Sequence, residues 1–223
     1  MNDRDDWQKT LKIAVNRLRN AHIPDEAWVF GGGTLLRWYY DHRVSNDIDI
    51  FFHDAQYLGF MSPRLNDEML EDVTGYEEGS IALTLQLKQG KIDFVVAANL
   101  TGLLPSMIQI NDMEFYAEQP EEVIVKKMFY RADTFRMRDV IDTAVVLRDK
   151  EASLAPLVKR ICSSKIDIIL DRINDPEISV EKIKLLDKTI SKEASMKSLR
   201  EFFAGIKKEE PFFHSKEEQE RST

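Results

Sequence analysis

With one cysteine, Cys162, in 223 residues, the chain cannot form an internal disulfide or a cysteine-rich zinc site. On a helical pattern beside Ile161, that cysteine reads as a small buried hydrophobe. Histidine is also scarce. His22, His42, His53 and His214 are scattered without metal-ligand spacing, which leaves no histidine-based metal centre. No apolar run reaches the roughly 20 residues that a bilayer span requires. The N-terminus MNDRDDWQK is acidic and polar rather than signal-like. These absences lead to the expectation of a soluble, cytoplasmic protein with no membrane partner. An excess of positive charge is lacking too: the net charge of −8 argues against a protein that coats nucleic acid non-specifically.

At 43% hydrophobic, the chain can build one good-sized core, or a compact catalytic domain followed by a helical one. The charge is unevenly spread. Residues 1–120 carry 10 basic and 19 acidic side chains, whereas residues 121–208 carry 19 and 15. Such a division fits an acidic, metal-dependent site beside a limited polyanion-binding face, or simply helices with solvated lysines.

Periodicity organises the chain. Trp7, Leu11, Ala14 and Leu18 recur at helical spacing, and Trp28 to Phe30 reads as the first strand. Strands and helices mix through Ala117. Pro120, Glu121 and Glu122 then open a helix, because proline suits the first turn and acids suit its positive end. Helical patterns follow over 120–131, 137–150, 155–172, 180–190 and 195–206, with a break at Asn174-Asp175-Pro176. The stretch 54–78 carries weak signals beyond a helix at about 66–73. The expected organisation is a catalytic domain at 1–119, a helical domain at 120–208 and an acidic, disordered tail at 209–223, where Phe212 and Phe213 could dock.

Val29 to Phe52, VFGGGTLLRWYYDHRVSNDIDIFF, is the most informative stretch. Side chains alternate along a strand, so Asp47 and Asp49 project together while Ile48 and Ile50 face a core. Paired carboxylates on a rigid strand repel one another, a cost most simply explained by divalent cations between them. Gly32 and Gly33 let backbone approach a phosphate closely, and the helix expected from Thr34 to Asp41 would turn its N–H groups toward it. Pairing Gly31 with Gly32 instead shifts the loop by one residue and leaves the aspartates in place.

Three blocks carry a family resemblance. Gly-Gly-Thr-x-Leu over Gly32–Leu36, Arg43-x-Ser45-x-Asp47-Ile48-Asp49, and Glu122-x4-Lys127-x3-Arg131 followed by Arg138-Asp139-x2-Asp142 together resemble the AbiEii-type nucleotidyltransferase toxins. These belong to the DNA polymerase β nucleotidyltransferase superfamily, and the resemblance runs from Trp28 to Leu147. It implies an α+β fold: a mixed β-sheet flanked by helices, then a C-terminal helical bundle.

The resemblance calls for a third carboxylate on a neighbouring strand. Ser80–Lys88 and Lys91–Ala97 read as a hairpin that places Asp93 on the polar face, and Asp93 is the candidate. The plainer reading is an edge charge or a salt bridge to Lys91. Asp112 and Glu114 flank a turn and are weaker. By the family match, Lys127 would hold the nucleotide phosphates and Asp139 would be the second-block aspartate, while Asp142 buttresses an arginine. Lys127 and Arg131 share a helix face, so both could meet phosphates.

The implied mechanism is nucleotidyl transfer. Asp47, Asp49 and Asp93 would hold two Mg2+ ions, or Mn2+, and the cradle for the nucleoside triphosphate would be Gly32, Gly33, Thr34 and Ser45, assisted by Arg131 and by Arg43, with pairing to a nearby carboxylate as the alternative role of Arg43. The implied acceptor is RNA, at the tRNA 3′ end, and the implied partner a cognate antitoxin protein. Competing readings are an aminoglycoside-like or protein acceptor and a non-catalytic binding relative. An acidic pocket would favour the aminoglycoside, a basic groove the RNA.

Overall fold

The computed structural model describes residues 6–208. Helix α1 (Asp6–Asn20) buries Trp7, Leu11, Ala14 and Leu18 along one stripe, as their spacing demands. Strand β1 (Trp28–Gly31) follows, buried at every residue, as a central strand should be. The chain turns directly into α2 (Gly32–Tyr40), which stops at Asp41 in the left-handed conformation, φ 43°. Strand β2 (Ile48–Phe52) returns antiparallel to β1, with Ile48, Ile50 and Phe52 facing the core.

After α3 (Gln56–Phe60) come β3 (Val73–Glu78), β4 (Ala82–Leu87), β5 (Gly90–Val96), β6 (Ser106–Ile110) and β7 (Met113–Ala117). The described strands form one seven-stranded sheet in the order β3-β4-β5-β2-β1-β7-β6. The sheet is mixed. β2 lies parallel to β5 and β1 parallel to β7, while the other pairings are antiparallel. This is the mixed sheet flanked by helices that the resemblance implied.

Helices α4 (Pro120–Arg131), α5 (Met137–Cys162), α6 (Ile166–Asn174), α7 (Pro176–Val180) and α8 (Lys192–Lys208) complete the described chain. One buried apolar cluster runs from Trp7 to Ile206 through the sheet and these helices. The join expected at 119/120 falls between β7 and α4, and packing continues across it. No described helix is long and apolar enough to cross a membrane. The tail from residue 209, with the docking suggested for Phe212 and Phe213, lies outside the described residues.

Several expected elements change. The helices foreseen at 137–150 and 155–172 are instead one helix to Cys162 and a shorter α6. Leu147, Leu154, Val158 and Cys162 stay in phase on a buried face, and that burial offsets the roughly 3 kcal/mol cost of Pro156 within the helix. The helix foreseen at 180–190 does not form. Its backbone pairs with the loop after α2 instead: the Val44 N–H donates to the Lys184 carbonyl at 2.9 Å, and Leu186 N–H to the His42 carbonyl at 3.0 Å. A tertiary partner for the backbone outweighs local propensity. The helix foreseen at 66–73 shrinks to a 3-10 turn over Asp67–Leu70, followed by the unforeseen edge strand β3. Cys162 is fully buried, and burial pushes its thiol up to about 12.

Candidate active site

The register of β2 against β5 sets Asp49 directly beside Asp93. Alternation turns Ile48, Ile50, Ile92 and Phe94 into the core and both carboxylates onto the opposite face. Asp47 stands one residue before β2, and all three carboxylates line a single cavity of about 390 Å³. The cluster is electrostatically strained. Burial, then the neighbouring Asp93, pushes the Asp49 carboxyl up to about 6 against the pull of Lys127 and Lys91. Burial and Asp93 also raise Asp47 despite Lys91 and Arg138 nearby. Asp93 is held by two donors: the Thr84 hydroxyl at 2.6 Å on Oδ1 and the Lys91 ammonium at 2.6 Å on Oδ2. The salt bridge to Lys91 foreseen as the plainer reading therefore exists within the cavity itself.

The glycines make room for this cluster. Gly32 has φ +71°, and a Cβ there would sit 1.9 Å from an Asp49 carboxylate oxygen. A Cβ on Gly33 would meet the Arg43 guanidinium at 2.6 Å. Gly32 and Gly33 both line the cavity at the N-terminus of α2, whose free N–H groups suit an anion. Thr34 does not line it. Fully buried, it donates its hydroxyl to the Asp47 carbonyl at 2.5 Å, 3.0 Å from Ser45 Oγ, and so braces the turn before β2. Ser45 itself reaches the cavity wall.

From the opposite side, α4 and α5 bring cations held by buried acids. Lys127 lies 2.8 Å from Asp139 and 3.1 Å from Asp142, and Arg131 lies 3.3 Å from Asp139. Arg43 grips Asp142 with Nε at 2.6 Å and Nη2 at 2.7 Å, and His42 Nε2 lies 2.7 Å from the same carboxylate. Burial alone would raise Asp142, but Arg43, Lys127 and the hydrogen bonds hold it well below the usual carboxylate range. Asp139 is lowered in the same way: Lys127 and Arg131 outweigh its burial. Asp139 also caps α5, accepting from the Arg136 N–H at 3.1 Å. Neither aspartate reaches the carboxylate cluster; both stand behind the cations and orient them. Arg43, paired with Asp142, sits over Gly33 and fixes that turn.

Other cavity residues were not anticipated as site residues. Arg138 follows the lining toward Asp47, and its Nε is buried without a partner among the described residues. Glu118 forms a buried ion pair with Lys126, whose ammonium also stands 4.0 Å over the Phe51 ring. Burial raises Glu118 to about 7. Neither Glu118 nor Phe51 belongs to a motif, and only the end of β7 at Ala117 and the facing position of Phe51 on β2 could have pointed to them.

The donor set suits a hard divalent cation: carboxylates only, two of them in adjacent register, with Asp49 and Asp47 raised by burial and then by their carboxylate neighbours. Among the described residues, no three acidic, histidine or cysteine side chains are already drawn into a ligating group.

The fold resembles that of the nucleotidyltransferase toxin MenT4 from Mycobacterium tuberculosis H37Rv, at 15% identity and a TM-score of 0.54, over 93% of this chain and 86% of that one. The protein JHP933 from Helicobacter pylori aligns at 18% identity and a TM-score of 0.45, over 86% of this chain and 90% of that one. Among curated proteins, Ycf2 of Jasminum nudiflorum is 30% identical over 95 residues; the match takes in 41% of this chain and 5% of that protein's length. Residues 16–216 match the family described as nucleotidyl transferase AbiEii toxin, type IV toxin–antitoxin system. With glycine turn, carboxylate cluster and distal cations all inside that span, the chain belongs to the AbiEii nucleotidyltransferase toxin family.

Proposed function

We propose that this nucleotidyltransferase moves a nucleoside monophosphate from a nucleoside triphosphate to a hydroxyl of RNA, at the tRNA 3′ end, and that a cognate antitoxin protein restrains it. The observation that carries the reading is one cavity lined both by Asp47, Asp49 and Asp93 from the sheet and by Lys127, Arg131 and Arg138 from α4 and α5. Six basic and four acidic side chains line it, and Asp139 and Asp142 behind Lys127, Arg131 and Arg43 offset part of that positive charge. Arg138, with no such carboxylate against it among the described residues, is the cation that favours a polyanionic nucleotide over a polycationic aminoglycoside.

In this reading the triphosphate lies across α2's first turn, with backbone N–H groups of Gly32 and Gly33 and the Ser45 hydroxyl on its phosphates. Lys127 and Arg131, fixed from behind by Asp139, neutralise the charge that moves to the leaving pyrophosphate. The acceptor oxygen attacks the α-phosphorus in line; a P–O bond to the acceptor forms, the bond to pyrophosphate breaks, and the hydroxyl proton leaves with solvent. The family generally uses a divalent metal. Asp47, Asp49 and Asp93 would hold Mg2+, two ions in our reading, which would supply a lowered hydroxyl pKa and charge neutralisation at the α-phosphate.

The test offers the purified chain and Mg2+ each of the four nucleoside triphosphates, with total tRNA, an aminoglycoside or bulk protein as acceptor. Nucleotide-dependent lengthening of tRNA supports the proposal. Modification of the aminoglycoside or the protein alone would replace RNA as the acceptor.

A further inference from the structure

Lys91 occupies an unusual position for a cation beside a metal-binding cluster. It lies two residues before Asp93 on β5, so both side chains leave the same face of the strand. Its ammonium is 2.6 Å from Asp93 Oδ2, with the lysine side chain 38% exposed and the aspartate 14%. Its backbone N–H also serves the Asp47 carboxylate, and its charge acts on Asp47 and Asp49 as well as Asp93. The Thr84 hydroxyl takes the other Asp93 oxygen. The third carboxylate is therefore satisfied by the protein itself, from both sides.

We propose that Lys91 is a built-in counter-cation of the acidic cluster, whose ammonium competes with a divalent ion for Asp93 and so sets how tightly that ion binds. Lys91 acts on Asp47 and Asp49 through its charge and, at Asp47, its backbone N–H, whereas Asp93 joins the ion only when the ammonium lets go. A lysine suits this role because its ammonium is a point charge on a long flexible stem, and a partly exposed stem can swing aside without opening the core. The cavity offers such a released ammonium another partner, because nucleotide phosphates would enter beside the same wall. The inference rests on the reading of the carboxylates as a divalent-cation site, but not on the identity of nucleotide or acceptor.

Mn2+ binding to the full chain, without nucleotide, is followed by electron paramagnetic resonance and by calorimetry, with Asp47→Asn/Asp49→Asn as the control. Lys91→Met should tighten Mn2+ binding about tenfold, because one unit of like charge leaves a partly screened site. The gain from Lys91→Met should shrink when it is measured in an Asp93→Asn background, and a gain of equal size in both backgrounds overturns competition for Asp93 in favour of a general charge effect. Lys91→Gln repeats the comparison with a polar side chain, and thermal melting of each variant checks the fold. Mn2+ binding that is unchanged or weaker in folded Lys91→Met and Lys91→Gln overturns the proposal. Loss of all Mn2+ binding in every chain, the parent included, instead overturns the metal-site reading beneath it.

Discussion

Replacing Asp142 by Asn keeps its volume and removes one charge at the point where three cationic or donor groups converge. Asp142 is fully buried and receives Arg43 through two hydrogen bonds, His42 at 2.7 Å and Lys127 at 3.1 Å. An asparagine offers one acceptor oxygen and turns an amide donor toward the other donors. The buried Arg43, 5% exposed, then keeps its charge with half its partner gone. Breaking a buried pair in this way costs about 3–5 kcal/mol, and we expect a loss of that size in urea unfolding at pH 7. The pH dependence fixes the sign. Asp142 is held well below its ordinary value in the folded chain, so the unfolded chain binds the proton more readily. Its stabilisation is complete above the unfolded carboxylate range near pH 4 and fades as pH falls below it toward the lowered folded value. The gap between parent and variant should therefore be widest at neutral pH and narrow in acid. A loss under about 1 kcal/mol at pH 7, or a gap unchanged down to pH 3, would refute the argument that this pair holds the cationic wall together.

Three further outcomes follow from the geometry. Gly32→Ala should lose at least about 2 kcal/mol and all transfer activity, because φ +71° is unfavourable to alanine and its Cβ would collide with Asp49; chemical unfolding and an activity assay check both. Arg131→Ala should raise the KM for nucleotide about tenfold while shifting stability by less than about 1 kcal/mol, since its side chain is 31% exposed; steady-state kinetics beside a melting curve separate the two. Asp49→Asn should abolish transfer yet leave the chain as stable or more stable in chelator, because the change removes a buried charge and its repulsion with Asp93; a less stable variant there would contradict the strain inferred for the cluster.

Much of the fold was legible because its signals are local. Alternation in β2 and β5 gave the faces of Asp49 and Asp93, and Pro120 with its acids gave the start of α4 at the observed residue. Signals that depend on tertiary partners were not. Val180 to Ile190 carries a helical pattern, but its backbone is spent on the loop around Arg43, and nothing within the segment announces that partner. The continuity of α5 through Pro156 likewise depends on what its apolar face packs against. In the candidate site, Asp142 was legible as the buttress of an arginine, though not of which one, whereas Asp139 was legible as a motif residue but not in its place behind Lys127 and Arg131. Their position follows from how α5 packs against α4, and spacing along the chain does not encode it. Thr34 shows the same limit: its motif position is plain, whereas its hydroxyl serves the Asp47 backbone rather than the cavity.

The central claim is that this cavity transfers a nucleoside monophosphate. The most direct measurement supplies RNA with a nucleoside triphosphate labelled at the α-phosphate in one reaction and at the γ-phosphate in another, for the parent chain and for Asp47→Ala/Asp49→Ala. The account predicts that only the α-label enters RNA, that the γ-label leaves as pyrophosphate, and that the double variant does neither. Entry of the γ-label, or undiminished transfer by the double variant, would contradict it.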